Sequence, residues 1–136
     1  MMISSKGKYA VRVMAQLAVD GSSGEYVPLK TIAEQQRISL KYSESIMAKL
    51  SKAGLVTAAS GKGGGYRLSK SPSEYRISDI LKAASETIAP VSCTNGAVPC
   101  ENTDSCCTFP IWNELNEIVS DFLDSKTLAD VAANIT

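Results

Sequence analysis

The stretch "LKTIAEQQRISLKYSESIMAKLSKAGLVTAASGKGGGYRLSK", residues 29–70, constrains the fold more than any other part of this sequence. Leu29, Ile32 and Ala33 repeat at three and four, the spacing of one buried helix face, and after the tight turn "RIS" the repeat restarts with Ile46, Met47 and Leu50. Ser39 stands where an N-cap hydroxyl belongs and Gly54 where a helix stops. Two short helices joined by a tight turn predict a helix-turn-helix. The runs "LVTAAS" and "GYRLSK" on either side of "GKGGG" then read as a β-hairpin with an open tip, which is a wing.

The glycine-rich tip invites a nucleotide-binding reading, and its spacing excludes one. A phosphate-cradling Walker loop needs a glycine where Val56 stands and a hydroxyl where Gly63 stands. The dinucleotide fingerprint needs a glycine at Tyr66.

Upstream, Tyr9, Ala10, Val13, Met14 and Leu17 predict a first helix, and "YVPL" a short extended entry to the second. The first apolar stretch is interrupted by Arg12 and Gln16, too short and too polar for a signal-peptide core or a membrane span, so a cytoplasmic protein with no membrane partner is expected. Downstream, "ISDILKAASE" reads as a fourth helix with Ser78 as a cap and Ile80, Leu81 and Ala84 inward. Pro110 suits the first turn of a last helix, on which Ile111, Trp112, Leu115, Ile118, Val119, Phe122 and Leu123 form a broad apolar stripe. One short core cannot absorb that stripe. Packing against a twin helix in a homodimer is expected, with Ile111, Leu115, Ile118, Val119 and Phe122 at the interface, and packing back onto the first helix is the alternative.

At 136 residues, 44% apolar and 21% charged, the chain can bury one modest core, which excludes a large multidomain enzyme. The expected fold is mainly α with a small β-wing. Residues 1–72 form the winged helix-turn-helix, 73–92 a connecting helix, 93–107 a cysteine loop, and 108–136 the dimerisation helix and C-terminal segment. Formal net charge is zero but unevenly spread: residues 1–70 carry eleven Lys/Arg against four Asp/Glu, and residues 71–136 three against ten. A basic half of that size is the footprint of a surface that meets nucleic acid.

The loop "CTNGAVPCENTDSCC" holds all four cysteines, Cys93, Cys100, Cys106 and Cys107, in a chain without histidine. In a reducing cytosol, clustered cysteines point to a metal or to redox chemistry more than to a permanent disulfide staple. A four-cysteine zinc site usually has two CxxC-like pairs, and this loop has none. An iron–sulfur cluster, a bare thiol switch and zinc all stay open at this point, with softness favouring the cluster, as [2Fe-2S] or [4Fe-4S].

The strings "ISSKGKYAVRVMAQLA", "VPLKTIAEQQRISLKYSESIMAKLSKAGLV" and "GKGGGYRLSK", followed by spaced cysteines before "IW", together resemble the IscR family of winged-helix regulators, from Ile3 to Val131. The resemblance implies a transcriptional regulator, a homodimer on double-stranded DNA with a palindromic operator, and no enzyme activity. It places Ser39, Lys41, Tyr42, Glu44, Ser45 and Lys49 on the recognition helix, and Ser60, Gly61, Lys62 and Gly63 on the wing, among the DNA-binding residues. A carboxylate facing DNA is useful only where it accepts from a cytosine amino group, which is the role implied for Glu44. Where the family often has a wing arginine this chain has Ser60, leaving Lys62 as the minor-groove cation.

The resemblance also implies an iron–sulfur cluster on Cys93, Cys100 and Cys106, sensing cluster status, oxidants or nitric oxide. Neither fourth ligand used in the family is present: Phe109 stands in place of a histidine and Lys8 in place of an aspartate. Cys107, Glu101, Asp104 or a solvent or small molecule would complete the site. Two rivals remain: a cluster-free, thiol-based regulator of the same fold, and a small iron–sulfur redox protein.

Overall fold

The computed structural model describes residues 3–85, 89 and 105–135. Six α-helices and one two-stranded sheet are found among them, in the order α1 (Ser5–Asp20), α2 (Leu29–Gln36), α3 (Leu40–Lys52), β1 (Val56–Ala59), β2 (Gly65–Leu68), α4 (Ile77–Ala83), α5 (Phe109–Ser125) and α6 (Leu128–Ala132), with a short 3-10 turn at Pro72–Glu74.

Helix α1 is the central element. Ala10, Val13, Met14 and Leu17 are buried on one face, as the spacing predicts, and the helix runs about a turn further at each end. Gln16, which breaks the apolar pattern, is buried as well. Its amide oxygen accepts from Gln36 Nε2 at 2.7 Å and its nitrogen donates to Asp20 Oδ1 at 3.0 Å, so its polar groups are satisfied across the α1–α2 contact. Arg12 extends the same link, donating through Nε to Gln36 Oε1 at 2.9 Å and through Nη2 to the Gln36 carbonyl.

The turn between α2 and α3 is made by Arg37, held in the left-handed region at φ 56°, and the amide of Ile38 reaches back to the Ala33 carbonyl at 2.9 Å. A non-glycine residue pays roughly 1 kcal/mol for that conformation. Ser39 then caps α3: its Oγ accepts from the Tyr42 amide at 3.1 Å. Ile46, Met47 and Leu50 enter the core, Lys49 and Lys52 fall in the last turn where the helix dipole favours cations, and Gly54 ends the helix at φ 78°.

β1 and β2 pair antiparallel in the register Val56↔Leu68 to Ala59↔Gly65. A third segment joins them: the Val27 amide donates to the Tyr66 carbonyl at 2.8 Å and the Tyr66 amide to the Val27 carbonyl at 2.9 Å. Gly65 permits that approach, since a Cβ there would stand 2.2 Å from the Val27 oxygen, and its φ of +141° suits only glycine.

Tyr75, Ile77, Ile80, Leu81 and Leu128 belong to the same core as α1, α2 and α3, so packing continues past the boundary expected at residue 72. Ser78 is not the cap of α4; Arg76 holds that position, and Ser78 is buried, its hydroxyl turned to Asp124 on α5. The short α6 was not foreseen as an element of its own. It packs against α1 and starts in a reciprocal cap, in which Asp130 Oδ2 accepts from the Thr127 amide at 2.9 Å and Thr127 Oγ1 from the Asp130 amide at 3.3 Å.

Candidate functional site

The recognition helix divides cleanly between its two faces. With Ile46, Met47 and Leu50 inward, the 3.6-residue period turns Lys41, Glu44 and Ser45 outward, and all three are exposed. Ser39 is exposed at the cap, whereas Tyr42 and Lys49 are half-buried. Tyr42 is held in place: its ring meets that of Tyr9 edge to face at a centroid distance of 5.7 Å, and the Arg12 guanidinium lies 5.0 Å above Tyr9. The buried Ser43 hydroxyl donates to the Ser39 carbonyl at 3.0 Å and stiffens the first turn.

At the wing tip Ser60, Gly61, Lys62 and Gly63 are exposed together. Lys62 is the cation of that tip. Helix and wing thus present polar, predominantly basic side chains from two elements fixed to one core, a form suited to a groove and the adjacent phosphates.

The cysteine segment is divided by what the structure describes. Cys93 and Cys100, with Glu101 and Asp104, lie outside the described residues. Cys106 and Cys107 are exposed, unpaired thiols immediately before α5. The Thr108 hydroxyl stands 3.3 Å from Cys106 Sγ, and with the backbone amides of Thr108 and Phe109 it lowers the Cys106 thiol below the ordinary cysteine value. A thiolate-favouring position at a helix N-terminus suits a soft metal ligand or a reactive thiol. Among the described residues no group of three or more His, Cys, Asp or Glu side chains converges on a metal-sized site.

Helix α5 exposes the stripe the sequence predicts. Ile111 is 61% exposed, Ile118 59% and Phe122 58%, with Trp112 and Leu115 also exposed and Val119 half-buried. The helix rests on α4 rather than on α1, and Leu123 is the residue of the stripe that packs against the core. Among the described residues no helix is long and apolar enough to cross a membrane.

Tyr75 and Val27, which hold the wing, were not singled out from the sequence. A lone tyrosine between Glu74 and Arg76, and a valine in a short extended run, carry no local signal of a tertiary hydrogen bond.

A helix-turn-helix with a wing, built on one core with a long outlying helix, defines a winged-helix DNA-binding regulator. The chain belongs to the Rrf2 family, described as iron-dependent transcriptional regulators, whose model matches residues 3–134. It is similar to the HTH-type transcriptional regulator IscR of Serratia proteamaculans (strain 568), 40% identical over 134 residues, covering 98% of this chain and 80% of that protein. The IscR of Aliivibrio salmonicida (strain LFI1238) is 39% identical over 131 residues, 96% of this chain and 77% of that protein. Among solved structures, CymR (YrzC), the global cysteine regulator of B. subtilis, superposes with a TM-score of 0.82 at 30% identity, covering 100% of this chain and 99% of that one. T. potens IscR gives 0.76 at 32% identity, covering 100% and 93%. The protein is a transcriptional regulator of this family and not an enzyme.

Proposed function

We propose that the protein acts in the cytoplasm as a homodimer on a palindromic operator, and that the cysteine segment reports iron–sulfur status, oxidants or nitric oxide to the DNA-binding face. Lys41, Tyr42, Glu44 and Ser45 read the major groove, Ser39 and Lys49 flank them, and the wing residues 60–63 present Lys62 to the minor groove. One observation carries the reading. A single helix, α5, begins beside the thiolate-favouring Cys106 and exposes an apolar face along its length, so a change at the thiols and a change at the dimer face act on one rigid body.

The described donor fits an iron–sulfur cluster: Cys106 is a soft, exposed thiol whose pKa is lowered by hydrogen bonds from Thr108 and the Phe109 amide. Cys93, Cys100 and Cys106 would hold the cluster, with Cys107 the first candidate for a fourth ligand. Bound there, a cluster supplies one-electron redox chemistry and a lability toward oxidants and nitric oxide. The residues of the chain do the rest: the Thr108 hydroxyl and the amides of Thr108 and Phe109 lower the Cys106 thiol and so favour its ionised form, and α4 carries α5 against the core. Coupling of this kind is a difference in operator affinity between two states of the loop, and about 1–3 kcal/mol suffices for a switch.

A second reading, a cluster-free thiol regulator, is favoured by the same lowered Cys106 thiol and by the likeness to the oxidized form of Staphylococcus aureus CymR, with a TM-score of 0.75 at 29% identity over 100% of this chain and 99% of that one. Purification without oxygen, followed by a visible spectrum and determination of iron, sulfide and zinc, separates the two. A coloured protein with matched iron and sulfide supports the cluster; a colourless protein whose operator affinity follows thiol oxidation supports the thiol switch. Glu44→Ala tests the base-reading role, and intact operator discrimination in that variant refutes it.

A further inference from the structure

The hydroxyl of Tyr75 is the most fully engaged side-chain group near the wing. The ring is 0% exposed, and its Oη donates to the Leu55 carbonyl at 2.6 Å while accepting from the amides of Ser69 at 2.9 Å and Lys70 at 3.2 Å. One donor and two acceptor sites are thereby filled, the whole capacity of a phenol. Burial raises its pKa above the ordinary tyrosine value, so it remains a neutral donor throughout the working range.

These three partners have a common place in the fold. Leu55 is where the chain leaves α3 for β1, and Ser69 and Lys70 are where it leaves β2. The wing is also attached to the body along its strands, by backbone pairing at Val27↔Tyr66, by Arg67 Nη1 donating to the Gly24 carbonyl at 3.5 Å and by Val56 in the core. Those contacts hold the strands, and the Tyr75 hydroxyl ties both ends of the hairpin to one point of the body, which fixes its direction. From the base of the hairpin to Lys62 is about 15 Å at the rise of an extended strand, so a tilt of about 10° moves the tip by roughly 3 Å, enough to lose a direct phosphate contact.

We propose that Tyr75 is a positioning residue for DNA binding: its hydroxyl sets the angle of the wing to the recognition helix. The role rests on the reading of Lys62 as a wing contact. It predicts that loss of the hydroxyl weakens DNA binding through the wing and leaves the contribution of α3 as it was.

The test is a double-mutant cycle on a duplex selected by the unaltered protein from a randomised pool. Tyr75→Phe keeps the buried ring and removes only the hydroxyl. In the unaltered protein Lys62→Ala is expected to lower affinity about fivefold, and in the Tyr75→Phe background less than twofold, because the misplaced wing no longer makes the contact. Lys41→Ala on α3 should cost the same factor in both backgrounds. General loss of stability would not single out Lys62. Equal effects of Lys62→Ala in both backgrounds overturn the positioning role, whereas no effect of Lys62→Ala in the unaltered protein overturns the wing contact itself, and failure to select any duplex overturns the DNA reading as a whole. Should Tyr75→Phe not fold, Lys70→Pro removes one donor to the same oxygen without altering the core ring or the Ser69–Leu55 bond at the hairpin base, and is expected to give the same selective loss at Lys62; its absence there overturns the proposal.

Discussion

The buried hydroxyl of Ser78 on α4 donates a hydrogen bond to the Asp124 carboxylate in the last turn of α5. It fastens the outlying helix to the DNA-binding body by a charge-assisted bond, of the kind worth about 1.5–3 kcal/mol. The two deletions should differ. Ser78→Ala leaves an exposed carboxylate that water can satisfy, whereas Asp124→Ala leaves a hydroxyl buried without an acceptor; the second is expected to lower unfolding free energy more, by about 1 kcal/mol, in urea titrations. The reverse order would mean that the bond does not persist in solution.

Ile118 and Phe122 are, with Ile111, the most exposed residues of the α5 stripe. Replacing both with glutamate should produce a monomer in sedimentation experiments and lower affinity for a two-half-site duplex at least tenfold, since a palindrome rewards two recognition helices held at fixed spacing. A double variant that still sediments as a dimer would put the interface on another surface.

Cys107 is the thiol that the family pattern leaves without a role. If it completes the site, Cys107→Ser should lower iron and sulfide content nearly as far as Cys93→Ser, Cys100→Ser or Cys106→Ser, each of which removes one thiolate. Full retention in Cys107→Ser alone, with an unchanged spectrum, would pass the fourth position to Glu101, Asp104 or a non-protein ligand.

The cap of α6 makes its docking sensitive to acid. Backbone hydrogen bonding to Thr127 holds the Asp130 carboxyl below the ordinary aspartate value. A carboxyl depressed in the folded state adds stability above its unfolded pKa and loses it as pH falls through the folded one. Protection of the α6 amides from hydrogen exchange should therefore fall below about pH 4, while Asp130→Asn, which cannot ionise, should show a flat profile over the same range. Equal pH dependence in both proteins would remove Asp130 as the cause.

The recognition helix and the wing were legible because their signals are local: a cap serine, a terminal glycine, an apolar stripe and a glycine-rich tip each specify backbone in their own neighbourhood. The exposed apolar face of α5 was legible for the same reason, from spacing alone. What escaped was tertiary. Ser78 reads as a cap by residue type and is instead buried opposite α5, Gln16 reads as a polar interruption and is instead satisfied by Gln36, and Tyr75 gives no sign in sequence of the three partners its hydroxyl finds. Of the candidate cysteine site, Cys106 and Cys107 can be placed, and both stand where the sequence puts them, just before the last long helix.

The return of the chain through α6 has a consequence for how an operator would be measured. Leu128 sits in the same core as the recognition helix, with its amide bonded to the Tyr75 carbonyl at 2.9 Å, so the far end of α5 is clamped to the reading head instead of trailing from it. Two such heads joined along α5 would behave as the jaws of a caliper, with no slack to follow a shifted target. One base pair inserted at the operator's centre turns one half-site by about 34° and moves it about 3.4 Å along the duplex, and clamped jaws would have to twist the DNA or release one half.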